Sequence, residues 1–134
     1  MYCIDASVIL SAARGTEAHS QESQRFLDEL KQGQQKVFLP EIVFPEIASG
    51  IMRATKNTPF ARAFVAALRD IPNFSFVPVD RTMSIAAVEV IMRTALRGAD
   101  ALYVALAWEY SLTLVTLDNE QLKKGHLLVS VRTP

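Results

Sequence analysis

The sequence is poor in cysteine, and its single thiol, at Cys3, excludes any disulfide within the chain. A chain without disulfides fits a reducing compartment, so we expect a cytoplasmic protein. An excess of charge of one sign is also missing, because 14 basic side chains balance 14 acidic ones. This balance argues against a protein whose whole surface attracts polyanions, but it leaves room for a local nucleic-acid site.

Long hydrophobic runs are absent as well. The longest apolar stretch, from Ala99 to Trp108, contains Asp100 and is too short to span a bilayer. The first residues lack a basic leader, so we expect neither a signal peptide nor a membrane anchor. Half of the 134 residues are hydrophobic, which is enough for a core, and we expect residues 1–134 to form a single domain.

Short apolar runs alternate with segments in which apolar residues recur at helical spacing. The runs predict strands at 2–4, 36–39, 74–79, 112–117 and 127–131. The periodic segments predict helices at 6–13, at 16–31, at 40–54 with a kink or second start at Pro45, from Pro59 with Thr58 as cap to Pro72, around 83–91, at 99–110 and in a short segment ending at Gly125. This alternation predicts an α/β sandwich around a parallel sheet, with a buried helix at 99–110.

Four acidic residues lie at strand ends or in apolar helices of this predicted fold, where a charged side chain is best explained by a functional site. Ligand sites in parallel sheets gather beyond the carboxyl ends of the strands, and Asp5 and Asp118 each follow a predicted strand. Glu46 and Asp100 lie in helices rich in apolar residues, where an unpaired charge is costly. The small side chain of Ser49 leaves room beside Glu46.

Crowded carboxylates repel each other and resist ionising unless a cation joins them. Oxygen ligands of this kind select Mg²⁺ or Mn²⁺. Such an ion can lower the pKa of bound water and stabilise the charge that grows on a phosphate. The set therefore predicts a metal-dependent phosphodiesterase that needs no histidine.

Each acid also has a purely structural interpretation. Asp5 and Asp100 could cap the helices that follow them, Asp118 could be a turn residue, and Glu46 could be an ordinary surface glutamate. No single residue is specific. Their joint placement is what favours a functional site.

Four segments of the chain resemble the PIN-domain nucleases, and among these the VapC-type toxins of bacterial and archaeal toxin–antitoxin pairs. The segments are Ile4-Asp5-Ala6-Ser7, the proline-led helix that contains Glu46, Gly98–Ala107 and Leu114–Asp118. Their order, their spacing and the total length match, so the resemblance covers essentially the whole chain. The last two segments are the most specific part.

The resemblance implies a three-layer α/β/α sandwich with a central mostly parallel sheet, a single PIN-like domain with Mg²⁺- or Mn²⁺-dependent endoribonuclease activity, and a cognate antitoxin as partner. It maps the catalytic and metal-binding acids to Asp5, Glu46, Asp100 and Asp118, with Ser7 and Thr116 as auxiliary hydroxyls. Many relatives carry a further acid soon after the last aspartate. Here Asn119 and Glu120 follow, so the part of Glu120 and the second metal position stay open.

Other readings explain less of the chain. A serine hydrolase would need a Gly-x-Ser-x-Gly elbow, which is missing although His19 and His126 are present. A phosphatase of the haloacid dehalogenase kind needs a second acid where Ser7 stands, and a receiver domain leaves Glu46 and Asp100 unexplained. No glycine-rich phosphate loop occurs. The alternative from another class is a non-catalytic PIN-fold protein that acts only through its antitoxin or another protein partner.

Further expectations concern surfaces. Tyr103 and Trp108 are predicted core residues, because they fall in the buried helix. A homodimer built from helices is expected from the resemblance and from the apolar side chains of Phe60, Phe64 and Leu68. Candidate phosphate contacts, each of which could equally be a solvated surface charge, are Arg14, Arg53, Lys56, Arg97, Lys123 and Lys124.

Overall fold

A computed structural model of the chain describes residues 1–16 and 18–134. Over these residues the chain forms five strands and seven helices. In order they are β1 (Tyr2–Ile4), α1 (Ala6–Arg14), α2 (Ser20–Gln32), β2 (Val37–Pro40), α3 (Val43–Thr55), α4 (Thr58–Arg69), β3 (Phe74–Val77), α5 (Arg81–Thr94), α6 (Gly98–Glu109), β4 (Thr113–Val115), α7 (Asn119–Gly125) and β5 (Val131–Arg132).

The strands form one sheet, all parallel, in the order β3-β2-β1-β4-β5. From β1 the chain extends the sheet through β2 to β3, then crosses back and places β4 on the other side of β1, with Cys3 opposite Leu114. Where the direction of winding reverses, the loops diverge and leave a crevice beyond the carboxyl ends of the strands. Asp5 follows β1 and Asp118 lies just beyond β4, so both border this reversal.

Helices cover the sheet on both faces. α1 contacts α2 and α3, and α3 contacts α4. α6 packs on β1, β2 and β4 and is itself contacted by α5 and α7. All side chains from Ala101 to Ala107 are buried as a result. The predicted α/β/α sandwich and the predicted buried helix are confirmed.

Two prolines behave differently from the prediction. Pro40 ends β2 instead of starting a helix, and α3 begins at Val43. Pro45 is therefore in the first turn of α3, where its missing N–H would have had no helical partner, and no second start is needed. Pro59 is the second residue of α4, because the cap is Asn57, whose side chain accepts a hydrogen bond from the Phe60 N–H at 3.0 Å.

The ends of two other predicted elements are also wrong. The helix predicted at 16–31 begins at Ser20 in the structure, and its predicted residue Glu17 lies outside the described residues. The strand predicted at 127–131 is reduced to Val131–Arg132. The backbone N–H groups of Leu127 and Leu128 donate to carbonyls at the end of α7, which makes this apolar run a turn. Among the helices described, none has the length and apolar character that a membrane crossing requires.

Candidate active site

A cleft of about 400 Å³ contains all four acids that the sequence singled out. They come from four places in the chain: the ends of β1 and β4, the first turn of α3 and the first turn of α6. The cleft is lined by Asp5, Ala6, Ser7, Leu10, Ile42, Pro45, Glu46, Ser49, Arg53, Asp100 and Asp118. The fold thus brings together side chains that are up to 113 positions apart in the numbering.

Asp5 is the most buried of the four acids, with 5% of its surface exposed. It caps α1, because its Oδ2 accepts a hydrogen bond from the Ser7 N–H at 3.2 Å. The same oxygen accepts from the hydroxyl groups of Ser7 and of Thr116, the latter at 3.1 Å. The capping role and a role in the site are compatible, since Oδ1 takes no part in the cap.

Ser7 and Thr116, the two hydroxyls expected to assist, both contact Asp5, with Ser7 in the cleft lining and Thr116 fully buried. The N–H of Leu117 donates to Ser7 Oγ and the N–H of Asp118 donates to Thr116 Oγ1, each at 3.0 Å. The bond from Leu117 to Ser7 and the bond from Thr116 to Asp5 connect the segment after β4 to the start of α1. The two hydroxyls therefore fix the orientation of the Asp5 carboxylate and the path of the chain towards Asp118.

Asp118 caps α7, accepting from the Gln121 N–H at 2.8 Å. Asp100 is the third residue of α6 and does not cap it, because the cap position is Arg97, whose side chain makes no capping hydrogen bond in the described structure. The prediction that Asp118 could be a turn residue is thus right, whereas the prediction that Asp100 could cap its helix is wrong. Asp100 has one side-chain partner instead, the Nε2 of Gln121 at 3.1 Å.

Glu46 lies in the first turn of α3 and accepts a hydrogen bond from the Tyr103 hydroxyl at 2.5 Å. Tyr103 is fully buried, as predicted, and its hydroxyl reaches across to the site. Burial, together with the charges of Asp5 and Glu46, raises the pKa of Tyr103, so the hydroxyl keeps its proton and acts as a donor. The signal in the sequence was a tyrosine on the face of α6 next to Asp100, since a buried tyrosine hydroxyl usually needs a partner.

Gln121 is the residue that sequence reasoning missed. It is fully buried, and its Nε2 donates to Oδ1 of Asp5 and to Oδ1 of Asp100, both at 3.1 Å. Its spacing of three residues from Asp118 places it in the first turn of α7, one turn beyond an acid already suspected. That spacing was the only available hint, and it does not distinguish Gln121 from an ordinary helical glutamine.

Burial raises the pKa of both half-buried acids in the cleft. For Glu46 the hydrogen bond from Tyr103 opposes the shift, while the charges of Asp5 and Asp100 add to it. For Asp100 the hydrogen bond from Gln121 and the charge of Arg97 oppose it, while the neighbouring acids add to it. The cleft therefore holds protons more tightly than exposed carboxyls do, as expected for acids crowded together.

We expect the metal-free protein to lose free energy of unfolding as the pH rises above about 4, where the carboxyls of the unfolded chain titrate. Below that pH Glu46 and Asp100 are protonated in both the folded and the unfolded state. The contribution of these two groups to the free energy of unfolding is then at its largest. At higher pH the folded state binds more protons than the unfolded state, so stability falls until the raised pKa values have been passed. Urea denaturation in a chelating buffer at a series of pH values measures this slope.

The matched variants are Glu46→Gln, which removes one of the two titrations, and Glu22→Gln on the exposed surface of α2. The first should flatten the fall in stability and the second should leave it unchanged. Equal slopes in Glu46→Gln and in the unmutated chain would contradict the assignment.

Most of the remaining candidates lie away from the cleft. Of the six basic residues considered as phosphate contacts, Arg53 alone appears in the cleft lining over the described part of the chain. Glu120 is exposed and pairs with Lys124 at 2.6 Å. Both histidines are exposed outside the lining. Trp108 is 38% exposed, with the Arg93 guanidinium over its ring, so its assignment to the core was wrong because it lies at the exposed end of α6.

The cleft offers oxygen ligands to a metal ion, but the side chains described there do not form a complete ligand set. Over residues 1–16 and 18–134, no group of three or more His, Cys, Asp or Glu side chains is arranged to hold a metal ion. Mg²⁺ does not need a complete set, because it usually takes one or two carboxylates and completes its shell with water and substrate phosphate. The lining supplies carboxylates and the hydroxyls of Ser7 and Ser49, and neither thiol nor imidazole, so the donor set fits a hard divalent cation.

The fold and this cleft define an α/β protein with an acidic, oxygen-lined site at the reversal point of a parallel sheet. The model of the PIN domain family matches residues 2–127, and the chain belongs to that family. The resemblance seen in the sequence is thereby confirmed at the level of the family. No curated protein matches the chain.

Solved structures share the fold at low sequence identity. VapC20 of Mycobacterium tuberculosis, described as a sarcin–ricin loop cleaving toxin, is 18% identical with a TM-score of 0.79, over 98% of this chain and 99% of that one. FitAcB of Neisseria gonorrhoeae is 22% identical with a TM-score of 0.76, over 100% and 98%. A toxin–antitoxin complex from Klebsiella pneumoniae is 16% identical with a TM-score of 0.69, over 100% and 98%. These likenesses extend over nearly the full length of each chain.

Proposed function

We propose that the chain is a Mg²⁺-dependent endoribonuclease that hydrolyses RNA phosphodiester bonds, and that it is the VapC-type toxin of a toxin–antitoxin pair. The observation that carries the proposal is that Asp5, Glu46, Asp100 and Asp118 line one cleft in a PIN domain. Support for the toxin reading comes from neighbours of the same fold that are described as a cleaving toxin and as a toxin–antitoxin complex.

The side chains of the cleft would have different roles in such a site. A divalent cation held by the carboxylates would supply an activated water and neutralise charge on the phosphate. Asp5 is fixed by Ser7 and Thr116, and Glu46 is fixed by Tyr103, so both carboxylates are oriented before substrate arrives. The cleft lining also contains Arg53, whose guanidinium offers a contact for a backbone phosphate.

The test is incubation of the purified chain with RNA in Mg²⁺, in Mn²⁺ and in excess chelator. Cleavage that requires metal supports the nuclease. RNA that stays intact with metal, together with retained binding of a protein partner, supports the alternative of a non-catalytic PIN-fold protein. Single-stranded DNA of the same sequence serves as the control for substrate class.

The proposed antitoxin inhibits by filling the acidic cleft. Clustered carboxylates attract a guanidinium, which can bind one of them through two hydrogen bonds. An arginine of the partner would then compete with the cation. Binding of an antitoxin peptide titrated at rising Mg²⁺ measures this competition, and unchanged affinity would mean that the partner covers the cleft without entering it.

The surface first considered for the proposed homodimer is only partly accessible. Phe60 is 42% exposed, whereas Leu68 is buried within the chain. Helix α5 also exposes Ile85, Val88 and Met92 at helical spacing, with 75% of Met92 accessible. Light scattering of the unmutated chain and of Met92→Glu tests this face, and a monomer in the unmutated chain would contradict the dimer.

A further inference from the structure

We infer that Gln121 is a positioning residue of the proposed metal site, and that its side-chain amide ties Asp5 to Asp100 and thereby sets the affinity for the cation. The inference rests on the proposed function, because it concerns the same cleft. It goes beyond it in assigning a task to a neutral side chain outside the cleft lining. Gln121 is not in the cleft lining, and it contacts the site through Asp5 and Asp100.

The geometry of the amide makes it a bridge. One nitrogen, Nε2, lies 3.1 Å from Asp5 Oδ1 and 3.1 Å from Asp100 Oδ1. A primary amide has two N–H donors, so each carboxylate can receive one. Asp5 follows β1 and Asp100 lies in the first turn of α6, and Gln121 is the hydrogen-bonded link between these two acids.

The orientation of the amide follows from its partners. Ionised carboxylates only accept hydrogen bonds, so the nitrogen end of the amide must face them. The oxygen end, Oε1, is buried without a partner in the described part of the chain. An unsatisfied buried acceptor is unfavourable, and the structure tolerates it at the residue that serves both carboxylates.

Helix α7 lies close to β5 and α6. Gly125 lies one turn after Gln121, and a Cβ atom at that position would come within 3.0 Å of Val131 Cγ2 and 3.7 Å of Val104 Cγ2. The glycine therefore lets α7 approach β5 and α6 closely, and Asp118 caps the other end of the helix.

The bridge also determines which carboxylate oxygens stay available. Oδ2 of Asp5 already accepts from three donors, whereas Oδ1 has the single bond from Gln121. Oδ2 of Asp100 receives no hydrogen bond from residues 1–16 or 18–134. Gln121 thus directs one oxygen of each acid towards itself and leaves Asp100 Oδ2 and the second lone pair of Asp5 Oδ1 for a cation.

The test is Mn²⁺ affinity, measured by isothermal titration calorimetry on the purified full chain. Gln121→Met keeps an unbranched, buried side chain but cannot donate, and we expect it to weaken Mn²⁺ binding by about 10- to 100-fold, the usual effect of losing an outer-shell partner. The control is Val131→Ala, which loosens the packing against α7 without touching the amide. It should bind Mn²⁺ within about twofold of the unmutated chain.

A second measurement keeps the inference testable if Gln121→Met does not fold. In the unmutated chain, the side-chain NH₂ signals of Gln121 in a ¹⁵N spectrum should be protected from solvent exchange and should shift on addition of Mg²⁺. Signals that exchange freely or ignore Mg²⁺ would overturn the inference.

The outcomes distinguish the role of Gln121 from the proposed function. Tight Mn²⁺ binding by the unmutated chain and by Gln121→Met alike would overturn the role of Gln121 and leave the proposed function standing. Absence of Mn²⁺ binding in the unmutated chain would overturn both. Equal weakening in Gln121→Met and Val131→Ala would reduce Gln121 to a packing residue and also overturn the inference.

Discussion

Replacing Asp5 with asparagine is expected to remove RNA cleavage while the fold survives. The change deletes a charged oxygen ligand from the most buried acid of the cleft. Charge stabilisation by a metal is worth several kcal/mol in a transition state, and each 1.36 kcal/mol is a factor of ten. We therefore expect the cleavage rate to fall by about a thousandfold or more.

The fold should tolerate Asp5→Asn because asparagine is also a good helix cap. Its oxygen can keep the bonds from Ser7 and Thr116, and its amide would face Gln121, whose Oε1 has no partner in the described structure. A turn of the Gln121 amide would let Oε1 accept from the new asparagine, at the cost of the hydrogen bond that Nε2 donates to Asp100. The expected loss of stability is about 1 kcal/mol, the usual size of one hydrogen-bond adjustment.

Asp80→Asn is the matched control for this variant. Asp80 caps α5 by accepting from the Met83 N–H at 2.9 Å, and it lies outside the cleft lining. Circular dichroism and a cleavage assay on both variants give the comparison. Full activity in Asp5→Asn, or an equal loss in Asp80→Asn, would refute the assignment of Asp5.

Removal of metal is expected to abolish cleavage altogether, and Mg²⁺ or Mn²⁺ should restore it. The lining provides oxygen ligands and no cysteine or histidine, so Zn²⁺ should not be the working ion. Ca²⁺ should bind but support little cleavage, because its coordination is looser and longer than that of Mg²⁺. The measurement is the initial cleavage rate in chelator and after excess of each of the four ions.

The matched control for the metal series is the same set of ions with Asp5→Asn, which reveals any cleavage caused by the ions themselves. Undiminished activity in excess chelator would point to a metal-free ribonuclease. Highest activity with Zn²⁺ would contradict the proposed ligand set.

The order of helices and strands could be predicted from the sequence because most elements carry a clear period. The run Ala101–Ala107 predicts a buried helix, and α6 is buried along that whole run. The ends of elements were harder, because a short apolar run such as 127–129 fits a strand and a helix-ending turn equally well. Only the hydrogen bonds back to α7 decide between them.

The four acids could be found because charge in an apolar setting stands out in a sequence. Their neighbours could not be found in the same way. Gln121 is neutral, and Tyr103 looks like any core aromatic, so their roles depend on which distant carboxylate each one meets. Such contacts span 57 positions for Tyr103 and 116 for Gln121, which is beyond the reach of local periodicity.

The reversal of the sheet at β1 has a consequence for biosynthesis. The strand made first sits in the middle of the sheet, and its neighbour β4 is made more than a hundred residues later, with Cys3 beside Leu114. Asp5 therefore has neither Thr116 nor Gln121 until residue 121 has left the ribosome. A polypeptide that ends before these residues holds Asp5 without its partners, so it should lack the proposed nuclease activity.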